Sequence, residues 1–335
     1  MSLSSNATML RCCYLFYQEQ MTIQQIAERL DISRFKASRY IKEAQRRGIV
    51  EVQFHDPNVE FESLALNLEQ ALGLREAIVV PTPYGASPDS VRLAVGRAGA
   101  DLFNEITADT TIGITWGRTV AYMVDSLPGD RLRAKRVVDL AGGFGEISSS
   151  VSARAVTLRS AEKLEAECVQ VPAPTIVGSV ESARSFLAEG SIRRALDLAA
   201  QSDIAVTGIG PLNEDSLLVK SGFLSDADLA SLKAAGAVGS IIGRFYDLNG
   251  REVESEFRHR AIALELDRFK AIKTRIAFAG GESKVDSLVG LARGGLVSTL
   301  VTDSQTASAL LSHFKTAALE TGDDQRADDW TKEST

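Results

Sequence analysis

The chain has 335 residues, 44% of them apolar and 24% charged, with a formal net charge of −7, which is the composition of an ordinary globular protein of about two domains. No stretch approaches the eighteen consecutive apolar residues that argue for a membrane span, and the polar, uncharged start Met1 to Thr8 lacks the basic and then apolar order of a secretory signal. Three cysteines without CxxC spacing (Cys12, Cys13, Cys168) and three dispersed histidines (His55, His259, His313) argue against disulfides and zinc, so a cytoplasmic protein with reduced thiols, no metal and no cofactor is expected.

The charge is unevenly placed. Residues 1–56 carry 8 Lys or Arg against 6 Asp or Glu, net +2, and the remaining residues carry net −9. Within the first part, Ser33 to Arg47 (SRFKASRYIKEAQRR) holds six cations and one Glu. One small surface is built for a polyanion inside an otherwise acidic chain.

Taken in order, MLRCCYLFYQE has helical apolar spacing. In the following run Ile23, Ile26, Ala27 and Leu30 share a helix face, Asp31-Ile32 interrupts it, and Ser33 is placed as the N-cap of a second helix. Two short helices joined by a tight turn form a helix-turn-helix. Ala37, Ile41 and Ala44 make the inner face of the second helix, and Phe35, Arg39, Lys42 and Arg46 project opposite it at about 100° per residue. A recognition helix follows from this arrangement: Ser33, Arg34, Phe35, Lys36, Ser38 and Arg39 near base edges of double-stranded DNA, Lys42 and Arg46 on phosphates. Asp31 stands where such turns usually carry Gly. Phe35 could touch a thymine methyl or pack on the first helix. After Gly48, the alternating Ile49–Phe54 predicts a strand and so a winged variant. Phe61, Leu64, Leu68 and Leu72 then form a stripe suited either to core packing or to a connecting, dimerising helix. The expected boundaries are 1–56 for the DNA-binding domain, 57–320 for an effector and oligomerisation domain, and 321–335 for a polar, mobile tail.

From Arg75 onward, apolar runs alternate with amphipathic stretches: AIVVP, TTIGITWG, RVVDLAGG, CVQVPA, DIAVTGIG, GSIIGRFYD, RIAFAGG and STLVTD read as strands. The order predicts a doubly wound α/β domain, largely parallel, with ligands at the carboxyl ends of the strands. There, the TIGITWGRT loop places Thr115, Trp116, Gly117, Arg118 and Thr119 between a strand and a helix start, a setting that favours an anion. Gly142, Gly143, Gly208 and Gly210 offer close backbone approach, and FAGGESK brings Gly281, Glu282 and Lys284 to another strand-to-helix turn, where a point charge could close over a phosphate. Asp247 suits either a turn with Asn249-Gly250 or a hydroxyl acceptor for a polyol. The fingerprints of dinucleotide binding, P-loop phosphoryl transfer and the hydrolase elbow are missing.

The stretches IAERLDISRFKASRYIKEAQRRGIVEV, IGITWGRTV, DLAGGFG, DIAVTGIGP, IIGRFYDLNG and IAFAGGESKVDSLVGLARGGLVSTLVTD, in this order from about residue 10 to 310, resemble the SorC family of bacterial transcriptional regulators, also described as DeoR-like with a sugar-binding domain. The resemblance implies a winged helix-turn-helix fused to a domain similar to sugar-phosphate isomerases, a dimer or tetramer, and a response to phosphorylated sugars or polyols. It implies that the GITWGRT loop and Lys284 hold the phosphate and that Asp247 meets sugar hydroxyls. The expected function is therefore a non-enzymatic, effector-modulated regulator of carbohydrate or polyol metabolism. The alternative is an isomerase-like enzyme with an accessory DNA-binding segment, for which Glu282 and Asp247 are the candidate acids.

Overall fold

Three helices build the N-terminal part: α1 (Ser5–Tyr17), α2 (Ile23–Leu30) and α3 (Arg34–Arg46). The computed structural model describes residues 5–53, 55–104, 106–128, 132–143, 152–214, 216–220 and 222–321, and the chain divides into two units, Met1–Val59 and Glu60–Thr335.

In the first unit α2 begins at a capping box, with Thr22 and Gln25 satisfying each other's backbone N–H groups. It ends at Asp31, whose φ of 50° and ψ of 52° are left-handed. Asp tolerates that region better than most residues, so the turn forms without glycine. Ser33 caps α3 by accepting from the Lys36 N–H at 3.2 Å. Cys12, Leu15, Ile26, Ala27, Ala37 and Ile41 form the small core, with Ile32 packed against it. Burial raises the pKa of both Cys12 and Cys13, which makes them packing residues. The alternating segment after Gly48 forms no strand over residues 49–53, and Phe54 lies outside the described residues. Ile49 and Val52 are exposed there, and among the described residues no second strand offers the segment a ladder.

The second unit contains α4 (Val59–Leu72), β1 (Glu76–Val80), α5 (Pro88–Ala100), β2 (Thr111–Ile114), α6 (Arg118–Ser126), β3 (Arg136–Asp139), α7 (Ala153–Lys163), β4 (Glu167–Val169), α8 (Val180–Ala188), α9 (Gly190–Ala200), β5 (Ile204–Gly208) and β6 (Gly210–Pro211). It continues with α10 (Leu217–Lys220), α11 (Asp226–Ala234), β7 (Gly239–Ile241), β8 (Arg244–Tyr246), α12 (Glu256–Arg260), α13 (Leu266–Lys270), β9 (Thr274–Phe278), α14 (Val285–Arg293), β10 (Thr299–Asp303) and α15 (Ser304–Thr321). Seven strands pair in the order β1-β10-β9-β5-β2-β3-β4, every pair parallel. Residues alternate between two cores, as a sheet covered on both faces requires. Ala77, Val79, Val138, Ala205, Ala277 and Leu300 pack with Leu68, Ala199, Val289 and Leu310 on one face. Ile112, Ile114, Val137, Val206, Ile276, Phe278 and Val301 pack with Val95, Val124 and Val156 on the other.

One sequence reading changes here, and another resolves to one of its two alternatives. The run GSIIGRFYD is an antiparallel hairpin, β7 and β8, rather than one strand. Its turn residues Ile242 and Gly243 have φ of 48° and 79°, the doubly positive pattern of a tight two-residue hairpin. The signal was hidden because a β-branched residue stands where Asn or Gly is usual. In α4, the Phe61, Leu64, Leu68, Leu72 stripe packs into the unit's own core, and of the expected tail 321–335 all but Thr321, the last residue of α15, lies outside the described residues.

Leu68→Ala should cost about 2–5 kcal/mol in urea unfolding, since Leu68 is 0% exposed. Leu66→Ala, on the 63% exposed side of the same helix, should change stability by less than about 0.5 kcal/mol.

Candidate functional site

A cavity of about 520 Å³ is lined by residues at the carboxyl ends of β2, β5, β9 and β10, the loop leading into α5, the β7–β8 hairpin and α10. That is the expected ligand position for a parallel sheet. Thr115, buried at the end of β2, spans to β5: its hydroxyl donates to Thr207 Oγ1 and accepts from the Gly208 N–H, both at 3.3 Å.

Two helical starts face this space without a side-chain cap. Gly117 precedes α6 with φ 142°, and Gly281, with φ 102°, precedes the 3-10 turn Glu282–Lys284 that runs into α14. A Cβ added at either glycine would meet nothing within 4 Å, so the conformation demands glycine, and the backbone stays approachable. Uncapped N–H groups and the positive ends of helices favour an anion.

Cations surround the same point. Lys284 is only 8% exposed. Burial, and then the nearby Arg92 and Arg118, push its pKa down to about 8, against an opposing pull from Asp303. Asp303, 1% exposed, accepts from the Thr82 hydroxyl at 2.8 Å, the Gly281 N–H at 3.1 Å, the Thr306 N–H at 3.2 Å and the Thr306 hydroxyl at 2.5 Å. It thereby ties the loop after β1 and the Gly281 turn to the end of β10. Arg92 Nη1 lies 2.5 Å and Arg118 Nη1 3.9 Å from Asp89 Oδ1.

Of the residues singled out in the sequence, Thr115, Trp116, Gly117, Arg118, Thr119, Gly281, Glu282 and Lys284 line this cavity, as do Gly208 and Gly210. Gly142, Gly143 and Asp247 do not. Gly142 donates to Ile262 O at 2.9 Å and accepts from the Thr175 hydroxyl, and a Cβ there would fall 2.4 Å from Ala173 O. The Gly143 N–H donates to Ala173 O at 3.0 Å. Both glycines therefore serve close backbone packing. Asp247 Oδ1 accepts from the Asn249 and Arg251 N–H groups, each at 2.9 Å, so the carboxylate closes the Asn249-Gly250 turn. Sequence reasoning missed Asp89, Arg92 and Asp303. Arg92 sits within α5 with no glycine beside it, and its only signal was the Asp-x-x-Arg spacing that pairs residues on one helix face.

On α3, Ala37, Ile41 and Ala44 are buried, and Arg34, Phe35, Lys36, Arg39, Lys42 and Arg46 are exposed, with Ser33 exposed and Ser38 half-buried. Phe35, 90% exposed, does not pack on a neighbouring helix. Lys36 Nζ sits 5.8 Å from the Tyr40 ring centroid. Arg46 is paired with Glu43 through bonds of 2.9 and 2.8 Å, whereas Arg34, Arg39 and Lys42 make no ion pair among the described residues.

A helix-turn-helix with an exposed cationic helix, in one chain with a cation-lined cavity on a doubly wound sheet, defines a ligand-responsive DNA-binding regulator. Residues 56–312 match the family described as "Putative sugar-binding domain". The chain is 31% identical over 302 residues to the deoxyribonucleoside regulator of Bacillus subtilis, covering 89% of this chain and 95% of the relative. It is 28% identical over 305 residues to the erythritol catabolism regulatory protein EryD of Brucella abortus, with 90% and 95% covered. The crystal structure of the full-length sorbitol operon regulator SorC from Klebsiella pneumoniae superposes with a TM-score of 0.71 at 27% identity, over 91% of this chain and 98% of that one. The chain belongs to this family of transcriptional regulators with a sugar-binding domain, and it is a regulator of transcription rather than an enzyme. No described helix is long and apolar enough to cross a membrane.

Burying the Lys284 ammonium among arginines opposes folding. A pKa lowered from 10.5 to about 8 corresponds to about 3 kcal/mol at neutral pH, when folded and unfolded chains both carry the charge. That penalty disappears as pH rises from 8 to 10.5, where the folded chain has already released the proton. Lys284→Met should therefore raise the melting temperature at pH 7 in phosphate-free buffer, with the gain shrinking towards pH 10 in a thermal scan.

Proposed function

We propose that the cavity binds the phosphate of a phosphorylated sugar or polyol, and that this binding sets the affinity of α3 for operator DNA in a cytoplasmic homodimer or homotetramer. The observation that carries the reading is the convergence of two uncapped helical starts with Arg92, Arg118 and Lys284 on one cavity. A dianion there adds charge-assisted hydrogen bonds where cations otherwise repel one another. Ser240, Ser283 and Gln305, which also line the cavity, are suited to sugar hydroxyls. The relatives named for deoxyribonucleoside, erythritol and sorbitol regulation support a carbohydrate or polyol in this role.

On the DNA side, Ser33, Arg34, Phe35, Lys36, Ser38 and Arg39 occupy the early, exposed turns of the recognition helix and serve base edges. Lys42 and Arg46 serve phosphates, Lys42 directly and Arg46 by giving up Glu43. A homo-oligomer fits the two-fold half-sites that such helices read. By linkage, whatever factor the effector imposes on DNA affinity, DNA imposes on effector affinity.

A fluorescence-anisotropy titration of the natural operator, with and without a panel of phosphorylated sugars and polyols, tests the coupling; an unchanged operator Kd with every compound would refute it. The same effector should bind most tightly between about pH 6, above which a phosphate monoester is a dianion, and about pH 8, and progressively more weakly above that, because the anion holds the proton that Lys284 otherwise releases there. Arg39→Ala should weaken operator binding by about 1–3 kcal/mol, and Lys42→Ala should reduce the salt slope by about one. Both are read from the same titration repeated at several salt concentrations.

A further inference from the structure

We propose that Asp89 is the resident counter-ion of the cavity: its carboxylate neutralises Arg92 and Arg118, and an incoming anionic group must displace it, so that Asp89 sets the affinity of the site for anions. The inference rests on the reading of the cavity as an anion site.

Among the described residues three carboxylates line the cavity, those of Asp89, Glu282 and Asp303, and they are not equivalent. Asp303 is buried and accepts four hydrogen bonds from Thr82, Gly281 and Thr306, so it belongs to the frame of the site. Glu282 is exposed and makes no ion pair among the described residues. Asp89 alone of the three reaches the arginines, at 2.5 Å from Arg92 and 3.9 Å from Arg118.

The placement of Asp89 suits exchange. Its side chain is 61% exposed, and among the described residues its carboxylate accepts a hydrogen bond from Arg92 alone, Arg118 standing at ion-pair distance. It follows Pro88 in the first turn of α5, a helix already capped by Ser87, which accepts from the Ser90 N–H at 3.1 Å. The carboxylate can therefore turn towards solvent without uncapping the helix. The Arg92 side chain, by contrast, is 15% exposed and stays in the wall. Exposed pairs are weak because water competes for both partners, whereas a phosphate between two helical starts, two arginines and a buried lysine makes several charge-assisted bonds at once. Exchange of one carboxylate for a phosphate is then favourable, but less so than filling a site with no internal anion.

The test compares wild type, Asp89→Asn and Asp89→Glu in the full chain, with inorganic phosphate as the probe in calorimetric and thermal-shift titrations. Asp89→Asn keeps the size of the side chain and removes the competing charge. It should bind phosphate roughly three- to tenfold more tightly, the range expected when one or two weak ion pairs no longer compete. It should also melt lower than wild type without phosphate and show the larger upward shift with it. Asp89→Glu, which keeps the charge, should remain close to wild type. Equal or weaker phosphate binding by Asp89→Asn, with wild type binding phosphate, would overturn the proposal and make Asp89 a residue that merely positions the arginines. A gain in Asp89→Glu as large as in Asp89→Asn would overturn it as well, since the effect would then follow shape. If wild type and both variants all fail to bind phosphate while remaining folded, the anion reading of the cavity falls, and the counter-ion with it.

Discussion

The cavity depends on one buried carboxylate. Asp303 terminates β10 and gathers donors from the loop after β1, from the Gly281 turn and from the first turn of α15. Thr306 shares the task, since its hydroxyl accepts from the Gly281 N–H at 2.7 Å and donates to Asp303 at 2.5 Å, so losing the carboxylate would leave buried donors of three chain segments with fewer acceptors. Lys284 sits three residues beyond Gly281, so its position among Arg92 and Arg118 follows from the same set of bonds. The unfavourable crowding of like charges is held by a structure whose own hydrogen bonds lie one layer further in. Functional sites commonly carry such local cost.

Much of this architecture was legible in the amino-acid sequence, for identifiable reasons. Buried parallel strands announce themselves as short apolar runs, and the order of runs and amphipathic stretches fixed the expectation of a doubly wound sheet. In the helix-turn-helix, Ser33 and the Ala37, Ile41, Ala44 face depend on neighbours a few residues away, and local rules suffice. Glycine-rich strand ends pointed to the Gly117 and Gly281 turns because a backbone approached by a ligand needs both an unusual φ and no side chain.

What escaped the sequence was set by distant parts of the chain. Gly142 and Gly143 have the same local appearance as Gly281, yet they face backbone from residues 173–175 and 262, and no local pattern distinguishes a glycine that meets a ligand from one that meets another strand. Asp247 offered two readings of equal weight, and the Asn249 and Arg251 N–H groups occupy its carboxylate in the turn. Arg92 and Asp89 lie on a helix whose spacing looks like an ordinary surface ion pair; only the fold brings Arg118 and Lys284 against them. The expected wing strand failed for the converse reason, since alternation gives a face but cannot supply a partner.

The hairpin turn at Ile242 has a consequence for how the cavity wall can vary. A β-branched residue in the left-handed region is strained by about 1–3 kcal/mol, and Gly or Asn at position 242 would remove that strain at once. Ile242 nevertheless lines the cavity beside Gly243 and Ser240, where its branched side chain adds to the apolar part of the wall that Trp116, Ile209 and Leu217 also form. A phosphorylated sugar has such a side too, in the C–H edges of its carbon skeleton. Relaxing the turn with glycine would remove one of the apolar surfaces, beside Trp116, Ile209 and Leu217, against which a carbon skeleton could pack.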